Sequence, residues 1–358
     1  MSGNTPEEQY IKKGHKRLVY IALFLLIGIA ISFYSLGAGY DIISLNIALE
    51  AIQDYFNGKT YTREEDYWKW LTHSLILDGT VPRAFGGMLI GAILGISGAI
   101  MQMCVRNPLA SPYTTGISSA ALFGVTIYLT LGILIIPIKG DFGMMINAFI
   151  FSMIPCMVMI LISIRKKTTP TMLVLIGIGI MYLFNALTMI LKYRAEPEVL
   201  RQIQIWSIGT LNGIDWEAVW VLALTTALLL VFIIPMMGQL DLLSAGDNFS
   251  QSLGVNPGRT RMLCMLVISA ATAISVCYAG SIGFVGLIIP HVSRLFVGSK
   301  SSLLIPCSAV LGGVLLIGSD VISRIMTLSL PVGAVTALIG APLFLYFLIK
   351  MRTSGWGK

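Results

Sequence analysis

The chain has 358 residues, of which 56% are hydrophobic and 11% charged, against about 25% charged in an average soluble domain. That balance excludes a water-soluble globular fold. The formal charge of +7 then reads as basic loops on one side of a membrane, and no nucleic-acid partner is expected.

Apolar windows recur along nearly the whole length, each long enough at about 1.5 Å per residue to cross about 30 Å of hydrocarbon. A backbone in lipid must satisfy its own hydrogen bonds and the alternating pattern of a barrel is absent, so the expected fold class is all-α. The first apolar run, Leu18 to Leu36, follows Lys12, Lys13, Lys16 and Arg17. It is long for the core of a signal peptide and no small-x-small cleavage site follows, so it reads as a retained first span with the N-terminus inside. Spans are expected near 18–38, 85–105, 113–136, 143–164, 172–192, 217–237, 262–280, 283–297, 302–322 and 332–350. These ten crossings form a single transmembrane domain over 1–358 and return the C-terminus to the starting side. The cytoplasmic segments then hold most of the basic residues, Arg106, Arg165, Lys166, Lys167, Arg259, Arg261, Arg294, Lys300, Lys350, Arg352 and Lys358 among them. Of the acidic residues only Glu7, Glu8, Asp241 and Asp247 share that side, as the positive-inside bias requires.

Between the first two spans lies a long external loop, 39–82, where Ile42, Leu45, Leu49 and Ile52 recur at helical spacing, the pattern of a helix lying along the outer interface. The second span places Gly87, Gly91 and Gly95 one turn apart, a stripe that lets another helix approach closely. Gly177 and Gly179 in the fifth span, with Gly312, Gly313 and Gly318 in the ninth, point to the same tight packing. After the second span, "RNPLASP" (106–112) interrupts the apolar sequence with an arginine, an asparagine and two prolines. A second external segment, 193–216, reads as a short helix followed by a Gly-rich re-entry with Trp206 and Trp216 at headgroup level.

The largest internal cytoplasmic segment, 238–261, carries an S-x-x-D pattern at Ser244 and Asp247, a nine-residue helix from Ala245 to Leu253, a stop at Gly254 and an "NPG" turn. So short a helix needs a docking surface, either the bundle or a partner protein. In 280–300, Pro290 is expected to interrupt a helix, with His291 and Arg294 at the interface. His291 reads as a capping or interfacial residue in preference to a metal or haem ligand. Asp320 and Arg324 are spaced i,i+4, either a structural ion pair or, with Arg324 facing outward, a docking charge.

Catalytic patterns are missing: there is no phosphate loop, HExxH or GxSxG, and the histidines are far apart. Cys104, Cys156, Cys264, Cys277 and Cys307 all fall in apolar segments without metal spacing and read as packing residues. No enzyme activity, metal site or cofactor is expected. The middles of the spans hold few ionisable groups, so any driving force for transport must come from another subunit. An ion-driven secondary transporter acting alone is the alternative, with Asp320 its acidic candidate.

These segments in this order resemble the permease family of ATP-binding-cassette importers for iron-siderophore, haem and cobalamin. The resemblance is carried by "PR" at 82–83, "SGAIMQ" at 97–102, "RNPLASP" at 106–112, "WSIG" at 206–209, "SLG" at 252–254, "GFVGLIIPHVSR" at 283–294, "SDVISR" at 319–324 and "LPVGAVTALIGAPLF" at 330–344. It implies the type II importer fold, ten spans per chain in the bilayer, and a homodimer with a path for the metal-chelate substrate between its copies. It also implies two ATP-binding subunits below and an extracytoplasmic substrate-binding protein outside. By the same resemblance Asn107 and Leu109 contribute to a cytoplasmic gate, with Thr169 and Thr171 of "KKTTPT" as its other half. Gly246, Asp247, Ser252, Leu253 and Gly254 match the element that couples to the ATPase, and Arg83 and Arg324 match arginines that dock the binding protein. The family's R-x-P-R reads "TVPR" here, so Thr80 stands where one docking arginine would be.

Overall fold

The computed structural model describes residues 6–39, 44–138, 140–165, 169–326 and 330–353; Ile42, Lys166, Lys167 and Lys358 lie outside these described residues. The chain opens with α1 (Pro6–Ser35), α2 (Leu45–Phe56) and α3 (Tyr67–His73), the last running through a π-helical turn at 74–80 into α4 (Val81–Val105). A single 3-10 turn at Pro112–Thr115 leads to α5 (Ile117–Leu131), α6 (Asp141–Arg165), α7 (Pro170–Tyr193) and α8 (Pro197–Ile208). Next, α9 (Trp216–Ile233) continues with little break into α10 (Met237–Ala245), followed by α11 (Asp247–Ser252), α12 (Pro257–Ala279), α13 (Val285–Val297), α14 (Ser301–Ile325) and α15 (Val332–Thr353).

Seven helices among the described residues are long and apolar enough to cross a membrane. The shorter apolar helices α5, α13 and α15 stand where the other three spans are expected. Several boundaries differ from the sequence expectation. The second span begins much earlier because α3, the π turn and α4 form one rod; Pro82 has no N–H for the carbonyl four residues back, and the ladder widens, with the Val81 amide bonding the Ile76 carbonyl. The sixth span runs to Ala245 instead of 237. The third is shortened to 117–131, since Pro112 and Gly116 tighten the entry into a 3-10 turn. After Gly132 the chain leaves the helix, and the buried Asn147 amide holds the return, donating to the Gly124 carbonyl at 2.7 Å and accepting from the Ile135 amide at 3.2 Å.

Contacts assign the two ends of the bundle. At one end meet the C-terminus of α1, the start of α4 and the end of α14, where Arg324 donates to the Ser35 carbonyl at 2.9 Å. Here α2, capped by Ser44, buries Ala48 and Ala51 against Leu36 and Ile76, and Trp216 donates to the Leu77 carbonyl at 2.9 Å. The other end gathers the C-terminus of α4, α10, α11 and the starts of α12 and α14, where Asp241 accepts from the Ser301 amide at 2.8 Å.

The main core forms around α4, in contact with α9, α10, α12, α13 and α14. The most apolar stretch of the α3–α4 rod is 83% buried inside the protein, against 11% for α1, which lies at the edge. Small residues allow this. A methyl group on Gly91 would collide with the Gly312 carbonyl of α14, and one on Gly95 with the Ser308 carbonyl. One on Gly98 would collide with the Gly286 carbonyl of α13. That last contact has a cause in the sequence. Pro290 does not interrupt α13 as expected but sits inside it. Lacking an N–H, it leaves the Gly286 carbonyl without its helical partner, and that oxygen faces α4 at Gly98. Gly179 and Gly318 have open space around them and do not contribute to the close approaches. The five cysteines are free and buried.

Replacing Gly98 by Val forces α4 and α13 apart and is expected to destabilise the protein by about 1–3 kcal/mol. Gly318→Ala, with nothing to strike, is expected to be neutral or stabilising by up to about 1 kcal/mol. Thermal unfolding of the purified membrane protein under one lipid and detergent condition checks both.

Candidate functional site

The break after α4 is local backbone chemistry. Pro108 has no N–H, so the Cys104 carbonyl loses its helical donor. The helix ends at Arg106 in the left-handed region, φ 48°, a conformation costing a non-glycine residue about 1–2 kcal/mol. The Asn107 amide reaches back to the Gln102 carbonyl at 3.3 Å, and the Asn107 side chain accepts from the Leu109 amide at 2.9 Å, closing a tight turn. Leu109 is left exposed. Ser111 then caps the 3-10 turn through a reciprocal bond pair with Thr114.

Side chains from three neighbouring helices answer the groups at this helix end. The Cys104 carbonyl accepts from Arg261 Nε of α12 at 2.7 Å. Gln102, buried, donates to the Leu287 carbonyl at 3.0 Å and accepts from Arg294 of α13 at 2.5 Å. Arg106 reaches Asp247 of α11 at 3.4 Å. Arg261 binds the same carboxylate, with Nη2 to Oδ1 at 2.8 Å and Nη1 to Oδ2 at 3.4 Å. Asp247 therefore joins the first residue of α11 to the last turn of α4 and to the first turns of α12.

This corrects the expected capping box. Ser244 does not cap the short helix; its hydroxyl donates to the Asp241 carbonyl at 2.7 Å, inside α10. The chain breaks at Gly246, φ 138°, so that α11 covers only 247–252, and the Asp247 carboxylate is turned toward the two arginines. The stop at Gly254 stands as expected, in the left-handed region at φ 81°, with its amide on the Gln251 carbonyl at 3.0 Å. The five residues grouped by sequence thus fall into two sets. Gly246 and Asp247 are half-buried and face the bundle, while Ser252, Leu253 and Gly254 are exposed together with Asn248, Phe249 and Gln251. Ser250 is buried on the opposite face, its hydroxyl donating back to the Gly246 carbonyl of the same turn at 2.5 Å.

Thr169 caps α7, accepting from the Met172 amide at 3.3 Å, with Pro170 next in the first turn. Thr171 is exposed in that same turn. Chain direction puts both threonines at the same end of the bundle as Asn107 and Leu109. Farther along, α7 packs on the 3-10 turn, where a methyl group on Gly177 would press on Thr115.

At the opposite end, Arg83 and Arg324 converge on one carboxylate instead of projecting outward. Asp320 is buried, its side chain 1% exposed. Arg83 Nε and Nη2 donate to its Oδ1 at 2.9 and 2.6 Å, and Arg324 Nη2 lies 3.0 Å from its Oδ2. Arg83 also contacts Asn212, and Arg324 reaches the Ser35 and Ala38 carbonyls. Burial favours this arrangement, since an unpaired carboxylate here would be costly. The cluster of Arg83, Asp320 and Arg324 therefore carries a net single positive charge. Thr80, in the place of the further arginine, is buried and donates to the Leu75 carbonyl at 3.1 Å.

Comparison with known proteins gives consistent matches over most of the chain. The FecCD transport family matches residues 24–350. The cobalamin import system permease protein BtuC of Halobacterium salinarum is 38% identical over 280 residues, 76% of this chain and 73% of that protein. The iron(3+)-hydroxamate import system permease protein FhuB of Bacillus subtilis is 33% identical over 325 residues, 90% of this chain and 80% of that protein. Among solved structures, an inward-facing conformation described as a metal-chelate type ABC transporter superposes with a TM-score of 0.78 at 27% identity, covering 92% of this chain and 99% of that one.

Asp320→Asn leaves two buried guanidinium groups without their counter-charge and is expected to cost about 3–5 kcal/mol of stability. Arg83→Met, which leaves Arg324 to neutralise the carboxylate, is expected to cost less. Chemical or thermal unfolding of the two variants side by side tests the ranking.

Proposed function

Because the chain belongs to the FecCD transport family, we propose that two copies of it enclose a path for a metal chelate, worked from the cytoplasmic side by two ATP-binding subunits. The chain itself is a multi-pass membrane permease subunit of an ATP-binding-cassette importer, with ATP hydrolysis on a separate subunit and a substrate-binding protein as the further partner. In the proposed orientation the end carrying Arg106, α11 and Thr169 is cytoplasmic, as are both termini. The end carrying Asp320 faces out.

The observation that carries the reading is the surface of α11. A six-residue helix tied to the bundle through Asp247 presents, with its C-cap residue, Phe249 and Leu253, both large, apolar and exposed, beside Asn248, Gln251 and Ser252. Such a helix does not stand alone in water, and an apolar pair set among polar residues fits the cleft of a protein partner. Closure of the ATP-binding subunits would displace this knob. The displacement passes to the helix ends it touches and shifts the turn at Asn107 and Leu109 against the capped start of α7 at Thr169 and Thr171. Alternating access follows, with no covalent step on this chain. The cargo is expected to be a ferric siderophore, haem or cobalamin-type chelate, since the relatives named above carry iron(3+)-hydroxamate and cobalamin. Arg83 and Arg324 would meet the binding protein with the single net charge left by Asp320.

An ion-driven transporter acting alone would need a free intramembrane carboxylate. Asp320 bears two arginines, which weighs against it as an exchangeable ion site.

Proteoliposomes holding the permease, its ATP-binding subunits and the loaded binding protein are expected to take up ferric hydroxamate or cobalamin only with ATP. Leu253→Asp, which puts a charge into the apolar contact, is expected to lower both co-purification of the ATP-binding subunit and uptake at least tenfold, a loss of about 1.4 kcal/mol or more in binding. Nucleotide-independent uptake would refute the importer mechanism.

A further inference from the structure

We propose that Arg106 and Arg261 are positioning residues for transport: by sharing the Asp247 carboxylate they pin α11 to the last turn of α4, so that movement of the coupling helix is delivered to the gate turn that begins one residue later. The inference rests on the reading of α11 as the coupling element and adds to it the route by which force leaves that element.

Three observations place the route here. First, α11 is joined to its neighbouring helices through a glycine on each side. Gly246 and Gly254 both lie at positive φ, at 138° and 81°, and neither offers a side chain to stiffen the joint. A short helix between two such joints transmits motion poorly through its backbone, so a side-chain link is needed. Asp247 supplies the ionic one.

Second, the link ends where the gate turn starts. Arg106 is the left-handed terminal residue of α4, and Asn107 follows it directly. The left-handed turn at Arg106 is closed by its own backbone, with the Arg106 and Asn107 amides on the Gln102 carbonyl, and its guanidinium lies 3.4 Å from Asp247. Release of the contact therefore uncouples α11 from the residue whose backbone sets the direction of the turn.

Third, the two arginines are unequal. Arg261 is 6% exposed and is fixed by the Cys104 carbonyl as well as by Asp247, whereas Arg106 is 38% exposed and Asp247 31%. The Arg261–Asp247 contact is thus the fixed pivot and the Arg106–Asp247 contact the one that can open, because a half-exposed pair is readily exchanged for water.

The test uses the full assembly in proteoliposomes, with ATP hydrolysis and uptake measured together. Arg106→Met keeps the aliphatic stem and removes the charge. It is expected to leave assembly with the ATP-binding subunit and the hydrolysis rate near wild type while lowering substrate imported per ATP about tenfold, within the range of ordinary coupling energies. Arg106→Lys is expected to restore at least half of the loss. A merely structural role would lower melting temperature and assembly instead and would not move the ratio of uptake to hydrolysis. The double variant Arg106→Met with Asp247→Asn is expected to be no worse than Asp247→Asn alone, since removing the carboxylate already removes the Arg106 contact. An unchanged uptake-to-hydrolysis ratio in Arg106→Met, or additive losses in the double variant, overturns the proposal. If Arg106→Met instead fails to assemble, the role is structural and the proposal falls as well. Leu253→Asp separates the two levels of inference. If it leaves assembly intact, the reading of α11 itself fails, whereas a normal Arg106→Met beside a defective Leu253→Asp sinks only the link.

Discussion

Backbone polar groups buried at membrane depth must find partners inside the protein, and α4 is where that constraint presses hardest. It lies at the centre of the bundle, with glycines where α13 and α14 cross, so that backbone meets backbone directly. The same closeness leaves no water to satisfy a lost hydrogen bond. Two prolines nevertheless remove donors on this surface. Pro290 frees the Gly286 carbonyl, which lies against Gly98, and Pro108 frees the Cys104 carbonyl, which Arg261 takes up. Each break in a helix is answered by a specific neighbour, and those neighbours become mechanically joined to α4.

The two ends of α4 carry arginine–carboxylate clusters of similar composition and different character. At the start, Asp320 is almost wholly withdrawn from solvent between Arg83 and Arg324, and those arginines also bond carbonyls or an amide side chain. Breaking that arrangement would strand a buried charge, so it behaves as a fixed joint. At the finish, the Asp247 carboxylate is about one-third exposed and one of its arginines is more exposed still. Water can replace that contact at modest cost. One end of α4 is thus rigidly framed, and the other is held by a contact that can exchange with water.

The outward faces fit the same division. Helices α1, α7, α9 and α15 show large apolar side chains away from the core, among them Leu26, Tyr182, Trp220 and Leu338. In hydrocarbon such faces need no partner, and they are equally able to meet a second copy of the chain. The turn at Asn107 and Leu109, the α7 cap and α11 lie together at one end of the bundle.

The sequence by itself determined the all-helical class, the set of apolar spans, the break at "RNPLASP", the stop at Gly254 and the family, because each depends on short-range chemistry: window hydropathy, missing proline donors, glycine at positive φ and long local motifs. It also marked Gly91, Gly95 and Gly312 as sites of close contact without saying which helix meets which. Only the tertiary structure decided the pairings. Asp247 is fourteen residues from Arg261 and far along the chain from Arg106, and its S-x-x-D spacing from Ser244 pointed to a helix cap that the charge–charge attraction overrode. The Asp320–Arg324 ion pair was one of the two readings that the i,i+4 spacing allowed, whereas the turn of Arg83 onto the same buried carboxylate was set by the meeting of α4 with α14. Local pattern fixes what a segment can form; which ionic partner it chooses depends on where packing removes water, and that is a property of the assembled bundle.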